Sequence, residues 1–156
     1  MIQRSEVEGV ARPTTLWGEA YGVPVAVRLN DDRLVERITP HLPHGWRSGV
    51  PRPEARVYTL VLSEESTENA GLCFAYADDI ALSSHSTLPA ALKAFESDLQ
   101  IHVAEMSPQS VFVHAGVVSW KERVILLPGR TFSGKSTLVR QLVQTGALYY
   151  SDEYAV

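Results

Sequence analysis

Residues 128 to 138 read PGRTFSGKSTL, and their flanks restrict the fold more than any other stretch of the chain. VILLP (124 to 128) precedes the first glycine and reads as a fully buried strand. Residues 136 to 145 carry Leu138, Leu142 and Val143 at helical spacing, and Gly146 stands where a C-terminal cap belongs. A strand, a tight glycine loop and a helix in that order demand an α/β arrangement. From Gly129 to Ser136 the chain satisfies G-x-x-x-x-G-K-[ST] without a departure. Roughly one random chain of this length in two hundred would do so by chance, so the strand before and the helix after carry much of the weight.

Each residue type in the loop has a physical task. Gly129 and Gly134 let backbone N–H groups turn inward as an anion nest, spanning Arg130, Thr131, Phe132 and Ser133. The helix N-terminus adds partial positive charge. Lys135 reaches the β- and γ-phosphates of a nucleotide, Thr137 is placed for the α-phosphate, and the Ser136 hydroxyl is a hard ligand suited to Mg²⁺. A plain glycine turn before a helix would not require a lysine and a hydroxyl together.

ALYYS (147 to 151) reads as the next strand, followed at once by Asp152 and Glu153. In a parallel βαβ unit the C-terminal ends of both strands share one edge of the sheet, which would bring this acid pair beside the phosphates. One of the two carboxylates would hold Mg²⁺, directly or through water, and the other would accept a proton from an attacking hydroxyl. The alternative is a solvated acidic strand end.

The rest of the chain supplies a core. GVPVAVRLN (22 to 30) alternates Val23, Val25, Val27 and Leu29 and reads as a strand. Asp31 or Asp32 would cap a short helix with Leu34, Val35 and Ile38, stopped by Pro40. Residues 41 to 54 read as a loop; 56 to 63 and 71 to 78 read as a hairpin joined by EESTENA, with a short strand at 80 to 86. Leu88, Leu92, Phe95, Leu99, Val103 and Met106 form one apolar stripe of a helix capped by Ser86 or Thr87. VFVHAGVVSW (111 to 120) is a strand and KER a turn. Residues 1 to 21 give little signal.

Composition bounds the function classes. The chain has 156 residues, 45% hydrophobic and 21% charged, with a net charge of −4. These are globular values, and they argue against a nucleic-acid-binding face. Cys73 is the sole cysteine, in an apolar run that suits a buried structural thiol. No apolar run is long enough to cross a bilayer, and MIQRSEVEGVARPTT lacks the apolar segment of a signal peptide, so a cytoplasmic protein is expected. His41, His44, His85 and His102 have no metal-ligand spacing and read as surface residues.

The run VFVHAGVVSWKERVILLPGRTFSGKSTLVRQLVQTGALYYSDE resembles the HPr kinase/phosphorylase family, and more closely the bacterial HPr-kinase-like proteins. The likeness covers about residues 87 to 156, as the first part of a kinase domain, and leaves 1 to 86 as an N-terminal α/β region. It implies a P-loop fold of the phosphoenolpyruvate-carboxykinase-like variety, with a sheet flanked by helices. It implies ATP and Mg²⁺ as ligands and transfer of the γ-phosphate to a Ser hydroxyl of a protein or peptide. Carried over, Asp152 and Glu153 are catalytic, Ser136 and Asp152 meet the metal, and His114 lies near the acids and tunes them. The family's second acid is typically Asp, where this chain has Glu153. The family also continues beyond its acid pair, so the resemblance implies a domain incomplete at its C-terminus and inactive in this form. An uncovered Leu148-Tyr149-Tyr150 edge would invite a homo-oligomer. A nucleotide-binding module without catalysis is the other reading.

Overall fold

The computed structural model describes residues 13–63, 73–130, 132–152 and 154–156, without the side chain of His85. The chain divides into two compact units, one ending at Gln109 and the other running from Ser110 to Val156. Both mix strands and helices. Among the described residues there are three α-helices, and none is long and apolar enough to cross a membrane.

The first unit is built on a six-stranded mixed sheet in the order β3-β1-β2-β4-β5-β6. The strands are β1 (Thr14–Ala20), β2 (Val23–Leu29), β3 (Arg47–Ser48), β4 (Arg56–Leu62), β5 (Cys73–Ala77) and β6 (Ile80–Ser86). β1 and β2 form an antiparallel hairpin through Tyr21 and Gly22, both at positive φ, the turn that matches strand twist. β2 and β4 pair in parallel across a connection holding α1 (Arg33–Ile38), a 3₁₀ turn at Thr39–His41, and β3. The segment expected to close the β4–β5 hairpin lies outside the described residues.

Register explains the core. Val27 pairs with Tyr58 and Leu29 with Leu60, while Tyr58 and Leu60 face Ala77 and Ala75 across the next ladder. All six are fully buried. The small residues of β5 leave room for α2 (Leu88–Met106), which lies over β4, β5 and β6 and buries Ala91, Leu92, Phe95, Leu99 and Val103. Phe95 meets the Tyr58 ring edge-on at 5.3 Å. Cys73 is buried, and burial pushes its thiol up to about 11, as suits an inert core residue. Thr87 occupies the N-cap position of α2 without a side-chain cap bond, and Ser86 instead donates to the Cys73 carbonyl.

Two histidines expected at the surface are partly withdrawn from it. His41 Nδ1 lies 2.8 Å from Glu96 Oε2. His102 is half-buried, and desolvation, then the neighbouring Arg56, hold its pKa below the ordinary value.

The second unit has β7 (Val113–Trp120) at its centre. On one edge β7 pairs antiparallel with β8 (Arg123–Pro128), through a turn at Lys121 and Glu122. On the other edge it pairs antiparallel with β9 (Leu148–Ser151) and then with β10 (Tyr154–Ala155). α3 (Lys135–Gln144) packs on β7 and β9. Val139 of α3 rests on Gly116, where an added Cβ would come within 2.5 Å of its Cγ2. Val118, Val139 and Ala147 form the buried centre, with Trp120, Ile125, Leu127 and Leu142 around it. The helix ends in a Schellman motif: Gly146, at φ +104°, donates to Val143 O, and Ala147 donates to Leu142 O.

β8 and β9 run in the same direction but are not neighbours, because β7 lies between them and opposes both. The connection is therefore a split crossover rather than a directly paired βαβ unit. β8 also departs from the fully buried strand expected. Ile125 and Leu127 face the α3 side, while Val124 and Leu126 are 63% and 51% exposed. The physical reason is that α3 covers only one face and β8 is an edge strand.

Candidate phosphate-binding site

The loop between β8 and α3 begins where the ladder to β7 ends. Gly129 N–H donates to His114 O at 3.4 Å, one step beyond the Pro128–Ala115 pair. Gly129 sits close to its neighbours: a Cβ there would stand 2.6 Å from Ser133 Oγ and 3.3 Å from Lys135 Cγ, so the Ser133 hydroxyl would have to turn away. Ser133 N–H closes a turn onto Arg130 O at 3.1 Å. Phe132 adopts φ +63° and its ring is fully exposed. Gly134 then takes φ +89° at the N-cap of α3, a conformation that suits glycine. Thr131 lies outside the described residues.

Lys135, the first residue of α3, folds back across the loop. Its Nζ donates to Gly129 O and to Arg130 O, each at 2.8 Å. An ammonium has three donors, so two bind the loop and a third remains to meet an anion. Ser136 and Thr137 are exposed in the first turn of α3. The N-cap glycine provides no side-chain oxygen for the first-turn N–H groups. The result is a loop tied to a lysine ammonium at the start of α3, with two exposed hydroxyls in the helix's first turn.

The acid side of the site sits across β7. Leu126 and Ser151 both pair with Val117, so β8 and β9 finish at the same end of the sheet. Two inter-strand spacings separate them, about 10 Å. Asp152 follows directly and is half-buried, and its Oδ1 accepts the Tyr149 hydroxyl at 2.9 Å. Glu153 lies outside the described residues. His114 is half-buried, and its ring lies 5.5 Å from that of Tyr154, tilted by 33°. Tyr154 also meets Phe112 edge-on at 6.3 Å.

The topology therefore brings Gly129, Lys135, His114 and Asp152 to one end of one sheet. His114 contributes its carbonyl to the loop and its ring to Tyr154. The aromatic partners Tyr149 and Tyr154 escaped sequence reasoning, because a tyrosine in a short strand carries no sign of what its ring will meet.

The residues present fit a Mg²⁺–nucleotide. Mg²⁺ retains water and is held by few protein groups plus phosphate oxygens, and the Ser136 hydroxyl with one carboxylate supplies that set. Among the described residues no group of three His, Cys, Asp or Glu stands ready for a metal alone. Comparison of the chain with family models, with curated proteins and with solved structures finds no significant match.

Proposed function

We propose that the unit from Ser110 to Val156 binds ATP with Mg²⁺ at residues 129–137, as part of an HPr-kinase-like protein that phosphorylates a Ser hydroxyl of a protein or peptide. The observation that carries the nucleotide reading is the Lys135 clamp: an ammonium bonded to two loop carbonyls at a glycine-opened helix start. The clamp also holds the loop's shape, and the ammonium's third donor is what a phosphate would take up. The common end of β8 and β9 supports a site with phosphates on one side and a carboxylate on the other. The phosphoenolpyruvate-carboxykinase-like P-loop fold is the architecture this reading adopts.

In that site the glycine loop and the N-terminus of α3 would hold the phosphates. Ser136 and Asp152 would hold Mg²⁺, which supplies neutralisation of phosphate charge. Lys135 would offset charge on the transferring group, and Asp152 or Glu153 would take the proton from the acceptor hydroxyl. Transfer to Ser rests on the sequence resemblance.

Calorimetric titration with ATP or ADP in Mg²⁺ tests the binding. Lys135→Ala removes charge-assisted bonds each of the order of 1.5–3 kcal/mol, so affinity falls roughly 10- to 100-fold. Equal affinity in both forms rejects the site. Nucleotide binding without transfer of labelled phosphate to any Ser-containing acceptor favours a binding module over a kinase.

A further inference from the structure

The two partners of β7 on its acid side do not follow a regular ladder. Leu148 pairs with Ser119 and Tyr149 with Val118, but the next β7 residue, Val117, pairs with Ser151. Tyr150 is the extra residue of a β-bulge. Opposed residues of an antiparallel ladder share a face. Val118 belongs to the centre packed under α3, so Tyr149 is on the α3 face as well. The bulge lets Tyr149 and Ser151 satisfy opposite faces although they are two apart. From there the Tyr149 hydroxyl reaches forward to Asp152 Oδ1 at 2.9 Å.

We infer that Tyr149 is a positioning residue for Asp152: the bulge aims its phenol so that the carboxylate is held in one orientation for the nucleotide's divalent cation. The inference rests on the nucleotide reading above and adds to it a residue that sets the Mg²⁺ dependence of binding. A donor on Oδ1 leaves Oδ2 with the acceptor capacity a hydrated Mg²⁺ requires. It also removes the rotational freedom of a short acidic side chain at a strand end, which would otherwise be lost on binding. Tyr149 thereby acts through Asp152 and needs no contact with phosphate.

The test is ADP affinity of the full chain, measured once in excess EDTA and once across a Mg²⁺ titration, for the unaltered protein, Tyr149→Phe, Asp152→Asn and the double variant. Tyr149→Phe retains the ring and removes only the hydroxyl. In EDTA, Tyr149→Phe is expected to bind ADP like the unaltered protein, and the double variant like Asp152→Asn. In Mg²⁺, Tyr149→Phe loses about three- to tenfold of the metal-dependent gain, the loss expected for one ordinary hydrogen bond exposed to solvent. Asp152→Asn loses more, and the double variant matches Asp152→Asn, because the phenol has nothing left to position. Binding of ADP with an unaltered Mg²⁺ titration in Tyr149→Phe overturns the inference alone, as do losses that add in the double variant. Failure of the unaltered chain to bind ADP with or without Mg²⁺ overturns the nucleotide reading and the inference together.

Discussion

The two units use their apolar residues differently. In the first, α2 lays Phe95, Leu99 and Val103 over β4, β5 and β6, and the side chains at the centre of the sheet are fully buried. In the second, α3 covers a single sheet face through Val139, and Val124, Leu126 and Leu148 on the opposite face remain open to solvent. The first unit is organised around packing. The second is organised around one polar loop, with just enough core beneath it to fix the start of α3. Apolar content alone therefore does not report how much of a sheet is covered.

The sharpest test of this contrast is Phe95→Ala in the first unit. Removing a fully buried ring with an edge-on partner should cost about 3–5 kcal/mol, read from denaturant unfolding. A cost below about 1 kcal/mol would erase the distinction. Next comes Gly116→Ala, where the new methyl meets Val139 and should destabilise the second unit by about 1–3 kcal/mol. If the contact matters to the loop, nucleotide affinity falls alongside stability, because α3 must back away from β7. Leu126→Ala is the counterpart of Phe95→Ala, and loses about 1 kcal/mol or less because half of Leu126 is already in water.

The smallest effect concerns His102, which faces Arg56, Asp98, Asp78 and Glu105. Its folded pKa lies below the unfolded one, so the unfolded chain binds the proton more readily. Stability of the first unit should fall as pH drops below the ordinary histidine value of about 6.5, and stay flat above it on this group's account. Melting curves of the unaltered chain and His102→Gln, recorded between about pH 7 and 5, should converge in slope only if His102 plays no part.

Much of this contrast could be read in the residues, and the parts that could not have physical causes. The α2 stripe was legible because a long helix repeats its buried face many times, and only Met106, at its last turn, is largely exposed. The strand, glycine loop and helix around Gly134 were legible because a glycine at positive φ between two apolar runs marks the turn. β1 was not, since Trp17 and its neighbours are partly buried on both faces and Gly18 is small to accommodate the Trp46 indole. β10 was not, since two residues carry no periodicity. The insertion of β7 between β8 and β9 was hidden because strand order is settled by long-range pairing, whereas the alternation of Val124 to Leu127 is the same at an edge or at a centre.

The Lys135 clamp has a consequence for chain length. Its two bonds close a small non-covalent ring from Gly129 through the loop to the ammonium. Most surface connections absorb an inserted residue at little thermodynamic cost. A ring of fixed circumference does not: one residue added between Gly129 and Lys135 would carry the ammonium past its carbonyls, and one removed would strain the turn at Ser133. Composition within residues 130–133 can drift, but their number cannot.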